Sequence, residues 1–188
     1  MMRMVVGVAV MIAACCATGC TGGSIPPPPP AQSASASPTP TALPPGTTSL
    51  DCTNPIGILP APTPPWSSTL DAVALDTAST LQATSTDGTD PHRLFAKTGL
   101  LVHAGRESTL TVPSPWAARV AIAWGNHGAE WTTRLHIPDC PHPPSGVGTW
   151  LAFPGGFSLD APACLPLEVR AASRTTTIHV SAGAPCRD

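Results

Sequence analysis

The side chains through which this chain could do chemistry are its 7 cysteines, 6 histidines and 11 carboxylates, spread over 188 residues. A serine hydrolase would place its nucleophile in a GxSxG turn, where a sharp strand-to-helix corner exposes the hydroxyl, and no such string occurs. HExxH is also missing, and His127-Gly-Ala-Glu130 has the wrong spacing to put a zinc pair on one helical face. Neither GxxxxGK[ST] nor GxGxxG is present, so a phosphate cradle of either kind is unsupported. Cys140 lies close to His142, but a sulfur held in a disulfide is no nucleophile. No catalytic residue and no cofactor is assigned.

The histidines are His92, His103, His127, His136, His142 and His179. His136 and His179 fall on the polar faces of alternating segments, where a solvated imidazole is the ordinary outcome. Were those faces to meet on adjacent strands near His142, they would form an exposed transition-metal site; the plainer reading leaves metal ligands unassigned. The segment Trp124 to Trp131 reads as a hairpin whose tip carries Asn126, His127 and Glu130, and these three are the candidate ligand-contact loop. An ordinary polar turn is the competing account. Trp124 and Trp131 fall on expected inward faces, while Trp66 and Trp116 follow prolines near loop ends.

Four cysteines lie beyond the amino-terminal segment: Cys52, Cys140, Cys164 and Cys186. An even number in an oxidising compartment reads as two disulfides, for which three connectivities exist. The expected pairs are Cys140 with Cys164, stapling a hairpin between Trp150 and Leu159, and Cys52 with Cys186, joining the ends of the domain. Loops of roughly 25 and 135 residues would add on the order of 3 and 5 kcal/mol in the chain-entropy model. A four-thiol zinc site is disfavoured because no CxxC pair exists.

The elements that must position these residues are strands. Val120, Ile122 and Trp124 alternate with smaller or polar residues, as do Trp131, Thr133, Leu135 and Ile137. The same period of two recurs at Leu165, Leu167 and Val169, and again at Thr176, Ile178 and Val180. Less regular candidates cover 70–75, 95–103, 108–112, and the pair 150–153 and 157–159 about Pro154-Gly155-Gly156. No window carries an amphipathic helix. Seven to nine short strands point to an all-β fold, an antiparallel β-sandwich immunoglobulin-like in architecture, with a small Greek-key barrel as the alternative.

Charge narrows the partners. Only 11% of residues are charged and the net charge is −2, against about a quarter charged in ordinary domains. The 9 cations are scattered singly, with no stripe able to neutralise successive phosphates, so nucleic acid is not expected as a partner.

The amino terminus begins with a cation at Arg3 and an apolar run from Met4 to Ala17, and small residues then lead to Cys20. As a helix this run would extend roughly 21 Å, short of a hydrocarbon core of about 30 Å, so residues 1–19 read as a removable export signal. Ala17-Thr18-Gly19-Cys20 resembles the lipobox of bacterial lipoproteins, although that family prefers a branched aliphatic residue where Ala17 stands. The resemblance implies diacylglycerol on Cys20, with Ile12-Ala13-Ala14-Cys15 as the alternative site, and palmitate among the attached chains. Residues 20–50, rich in Pro, Ser, Ala and Thr, bury too little apolar area to fold and read as a disordered linker reaching at most roughly 80 to 90 Å. Residues 51–188 then form the β domain.

Trp150-Leu-Ala-Phe-Pro-Gly-Gly-Phe157, Pro162-Ala-Cys164-Leu-Pro-Leu-Glu-Val-Arg170 and the closing Cys186 resemble uncharacterised secreted proteins and lipoproteins of high-GC actinobacteria. The resemblance implies residence in the cell envelope and a cysteine-stapled β domain, and it carries no catalytic residue. The expected protein is thus held at the extracytoplasmic face of the cell membrane by its lipid. There it acts as a binding or accessory module for an envelope protein or glycan. The rival readings are an envelope enzyme using dispersed groups such as Glu130, His136 and Asp139, and a passive structural spacer.

Overall fold

The computed structural model describes residues 43–126 and 129–187. The export signal, Cys15, Cys20 and residues 20–42 of the linker lie outside them, as does His127. The described chain is all-β: fifteen strands and one short 3-10 helix, Trp116–Ala118. The strands outnumber the expectation because several are edge pieces of two or three residues, too short to show a period, and because two long strands are broken by bends.

One layer is a sheet of six strands. Its elements are β1 (Thr47–Ser49), β5 (Thr80–Leu81), β9 (Ser108–Thr111), β11 (Arg134–Ile137), β14 (Ala163–Ala171) and β15 (Arg174–Ala182). The order across the sheet is β1-β11-β9-β14-β15-β5. The edge strand β1 lies within the stretch that composition assigns to the linker. It runs parallel to β11, and its pairing continues through Leu50, whose N–H donates to the His136 carbonyl. Pro166 is tolerated inside β14 because β9 pairs only with Glu168 to Ala171, so no neighbour on that side needs a donor from residue 166.

The opposing layer has two parts. β2 (Gly57–Leu59), β12 (Trp150–Phe153), β8 (Leu100–His103), β4 (Val73–Asp76) and β3 (Trp66–Thr69) follow one another in a five-stranded sheet. β10 (Val120–Trp124), β13 (Gly155–Leu159), β7 (Leu94–Lys97) and β6 (Ala83–Ser85) form a four-stranded one. The two parts share a bent ribbon. β7 runs into β8 and β13 follows β12, and the antiparallel register Trp150↔His103 continues unshifted as Leu159↔Leu94. The ladder breaks at Pro154, which has no N–H to give; its carbonyl instead accepts from Gly125.

This bend corrects one expectation. Residues 150–153 and 157–159 are not the two arms of a hairpin but one interrupted strand passing from one sheet to the next. Gly155 and Gly156 serve close approach: a Cβ at Gly155 would lie 2.0 Å from the Ala123 carbonyl oxygen, and one at Gly156 would lie 2.2 Å from that of Ala96.

The disulfides are corrected with it. The bonds are Cys52–Cys140 and Cys164–Cys186, not Cys140–Cys164 and Cys52–Cys186. Because 150–159 runs on through its bend into a second sheet and does not fold back as a hairpin, nothing in it returns residue 164 to residue 140. The parallel register Ser49↔His136 delivers Cys52 beside Cys140 a few residues further on. At the other edge Cys164 faces Ser181 across the β14·β15 ladder. Beyond that ladder Gly183 takes φ +72° and turns the tail back, and the Cys186 N–H then donates to Ser181 Oγ.

The layers meet through the side chains of the expected inward faces. Leu135, Ile137, Leu165, Leu167, Val169 and Val180 from the six-stranded sheet are buried in one cluster with Val102, Ile122, Trp124, Phe153, Phe157 and Leu159. Burying each such side chain contributes roughly 1.5 to 3 kcal/mol. Trp131 departs from expectation. It is half-buried and meets Phe95 edge to face at 5.9 Å, on the side of the four-stranded sheet away from this cluster. The alternation slips at Thr132, which is buried and bridges Ile122 rather than continuing the parity of β11.

Candidate functional site

The outward face of the six-stranded sheet is the polar complement of that core. Antiparallel pairing puts residues of equal parity in rows across the strands. One row reads Thr47, Arg134, Thr111, Glu168, Thr177, and the next Ser49, His136, Thr109, Arg170, Thr175. A groove of about 650 Å³ lies over these rows, its floor set by Thr109, Thr111, Arg134, His136, Glu168 and Arg170. Leu43 and Pro44 line it where the chain enters the domain, and Asp139 lines it near Cys140.

The electrostatics are mixed along the floor. His136 is mostly covered, 18% exposed at its side chain, and its Nδ1 lies 3.9 Å from a carboxylate oxygen of Glu107. Guanidiniums at Arg134 and Arg170 supply forked donors, Glu107, Asp139 and Glu168 supply acceptors, and the threonine hydroxyls supply both. Among the described residues, no serine or cysteine lines the groove. Its chemistry is therefore that of a hydrogen-bonding surface, able to hold a polar ligand over several strands at once.

Two members of the rival catalytic set, His136 and Asp139, come together in this groove, while Glu130 does not line it. In the expected contact loop Asn126 is half-buried and Glu130 exposed where the chain leaves β10. His179 is exposed opposite Pro166, separated from His136 by β9 and β14, so the two polar faces are not on adjacent strands. No group of three His, Cys, Asp or Glu side chains is arranged to hold a metal ion among the described residues.

A serine, a histidine and an aspartate do meet elsewhere. His92 Nδ1 lies 2.9 Å from Asp160 Oδ1, and Ser158 Oγ accepts from the main-chain N–H of His92 at 3.0 Å. Ser158 is fully buried and its hydroxyl is bonded to the backbone of His92 instead of to the imidazole. The trio has the composition of a triad without its connectivity, and it fixes the approach to β7.

The groove's other contributors, Glu107, Thr109, Thr111, Arg134, Glu168 and Arg170, were not singled out as a site from sequence. Their outward parity was readable on each strand, but the neighbour order β11-β9-β14 that assembles them was not. Fold and site together define an all-β, disulfide-linked sandwich domain with a polar groove on one sheet. Comparison with protein-family models and with curated proteins finds no match.

Proposed function

We propose that this chain is a lipid-anchored protein of the cell envelope, of the actinobacterial lipoprotein type, whose β domain binds a polar envelope ligand or partner in the groove of the six-stranded sheet. The groove itself carries this reading. A sheet face that places two guanidiniums, a histidine and carboxylates in register over strands cross-linked by two disulfides is a rigid, pre-ordered array of hydrogen-bonding groups, which limits what binding must spend on ordering. Two formed disulfides agree with folding in an oxidising compartment. Lipid on Cys20 would supply the location, since two or more acyl chains hold a protein at a bilayer durably.

The test places a photo-activated cross-linking residue at Thr109, in the groove, and separately at Lys97, on the opposite layer, in intact cells. A discrete adduct from position 109 that is lost with Arg134→Ala/His136→Ala, and none from position 97, supports the groove. Equal adducts from both positions would reject it. Palmitate labelling that persists in Cys20→Ala would move the anchor to another cysteine.

A further inference from the structure

The groove of the six-stranded sheet has a direction. Thr109 and Thr111 of β9 lie between Arg134 and His136 of β11 on one side and Glu168 and Arg170 of β14 on the other. Short side chains flanked by long ones make a trough along β9, and the two flanking strands are roughly 9.6 Å apart, twice the spacing of neighbours in a sheet. A second hollow of about 520 Å³, lined by Val112, Pro113 and Ser114, shares Thr111, Arg134 and Glu168 with the groove and prolongs it past the end of β9. Glu107 lines the opposite end. From there to Ser114 the trough matches roughly 24 Å of extended chain, at about 3.4 Å per residue.

Two features select among linear polar ligands. The first is spacing. On each of the three strands the lining residues stand two positions apart, a repeat of roughly 6.7 Å, which is also the repeat of same-face side chains along an extended peptide. The threonine hydroxyls between the walls can donate and accept, as the N–H and C=O groups of a peptide main chain require. The second feature is charge. Two guanidiniums face the carboxylates of Glu107, Asp139 and Glu168, so a uniform polyanion meets repulsion along with attraction. The signs are also ordered: Arg170 lies at the level of Thr109, and Glu107 and Asp139 lie together toward one end. Among the described residues no Trp or Phe lines the trough to cover the apolar faces of sugar rings.

We infer that the occupant of the groove is a polypeptide segment held in extended form along β9 over roughly seven residues. Arg170 takes up an acidic side chain of the segment at the level of Thr109. Glu107 and Asp139 take up a basic one two residues away, on the same face of the bound strand. The inference rests on the groove being the binding site proposed above, and it chooses protein over glycan as the partner.

The probe is a library of soluble random seven-residue peptides, selected on the immobilised full chain. Enriched peptides should carry an acidic and a basic residue two positions apart, in either order, since a strand can run either way along β9. A synthetic peptide with Asp and Lys two positions apart should bind at least about tenfold more tightly than its isomer with the two adjacent, which turns them to opposite faces. Arg170→Gln should erase the selection for an acidic residue and Glu107→Gln should weaken that for a basic one, while Lys97→Gln on the opposite layer changes neither. No enrichment, equal affinity for the two isomers, or a selection unaltered by Arg170→Gln would overturn the inference. Mass spectrometry of the adduct from position 109 should show a second peptide. A saccharide in its place would overturn the inference and leave the groove standing as a binding site, whereas an adduct indifferent to Arg134→Ala/His136→Ala would remove the groove itself.

Discussion

The two outer faces of the sandwich were finished in opposite ways. On the five-stranded sheet the side away from the main core is closed: Ala74, Leu101 and Trp150 are buried there, with Leu59, Trp66 and Ala152 packed against them, and His103 meets Trp150 edge to face at 4.9 Å. On the six-stranded sheet the corresponding side carries Arg134, His136, Glu168 and Arg170 and stays open to solvent as the groove. One face spends its large side chains on packing, and the other leaves polar groups free to meet something else. The difference separates where stability resides from where recognition can occur, and each half can be broken without the other.

The largest effect should come from the sulfur bridge that secures the open sheet's edge. Replacing Cys52 and Cys140 together by alanine removes a closure of 88 residues, worth about 4.6 kcal/mol in the chain-entropy model and measurable by denaturant unfolding. Trp150→Ala on the closed face, where the indole is 4% exposed, should lower stability by about 4 kcal/mol in the same assay. Removing Cys164–Cys186, with its separation of 22 residues, should cost about 3.4 kcal/mol. By contrast, Arg134→Ala/His136→Ala on the open face should change stability by no more than about 1 kcal/mol while abolishing the adduct from position 109. A large unfolding effect from that pair would erase the contrast between the faces.

The smallest expected effect lies in the turns. Backbone and side-chain hydrogen bonds from Thr53 hold the Asp51 carboxyl below its ordinary range, and the side-chain and backbone bonds of Thr89 do the same for Asp87. Both groups should titrate below 3.8 by carbon-detected NMR. Because the folded state binds the proton less readily, these turns favour folding above the unfolded-state pKa, and that contribution disappears as pH falls through the folded value. A midpoint at or above 3.8 would show that the bonds are not maintained in solution.

Much of the all-β architecture was legible because β11 and β14 each bury one face only, so Leu135, Ile137, Leu165, Leu167 and Val169 announce themselves by a period of two. β4 and β8 were harder because they are covered on both sides: Val73 to Asp76 and Leu100 to Val102 are buried without a break, which erases alternation. The disulfide pairing failed for a related reason. Pro154-Gly155-Gly156 has the composition of a turn, yet its glycines answer to the carbonyls of Ala123 and Ala96 on flanking strands, neighbours that no local pattern reveals. His136 and Asp139 were recognised as polar candidates, but only the strand order showed that their companions were Thr109, Glu168 and Arg170 rather than Glu130.

The Cys52–Cys140 bridge also sets how the domain would carry a mechanical load. Tension entering from the amino-terminal side meets β1 first and reaches Cys52 three residues after that strand ends, where the bond hands it directly to Cys140. The intervening chain, including both halves of the bent ribbon's first strand, is bypassed and stays slack. What is strained instead is the shear of β1 along β11, the strand that presents Arg134 and His136, so a pull applied ahead of β1 would be felt first at the floor of the groove.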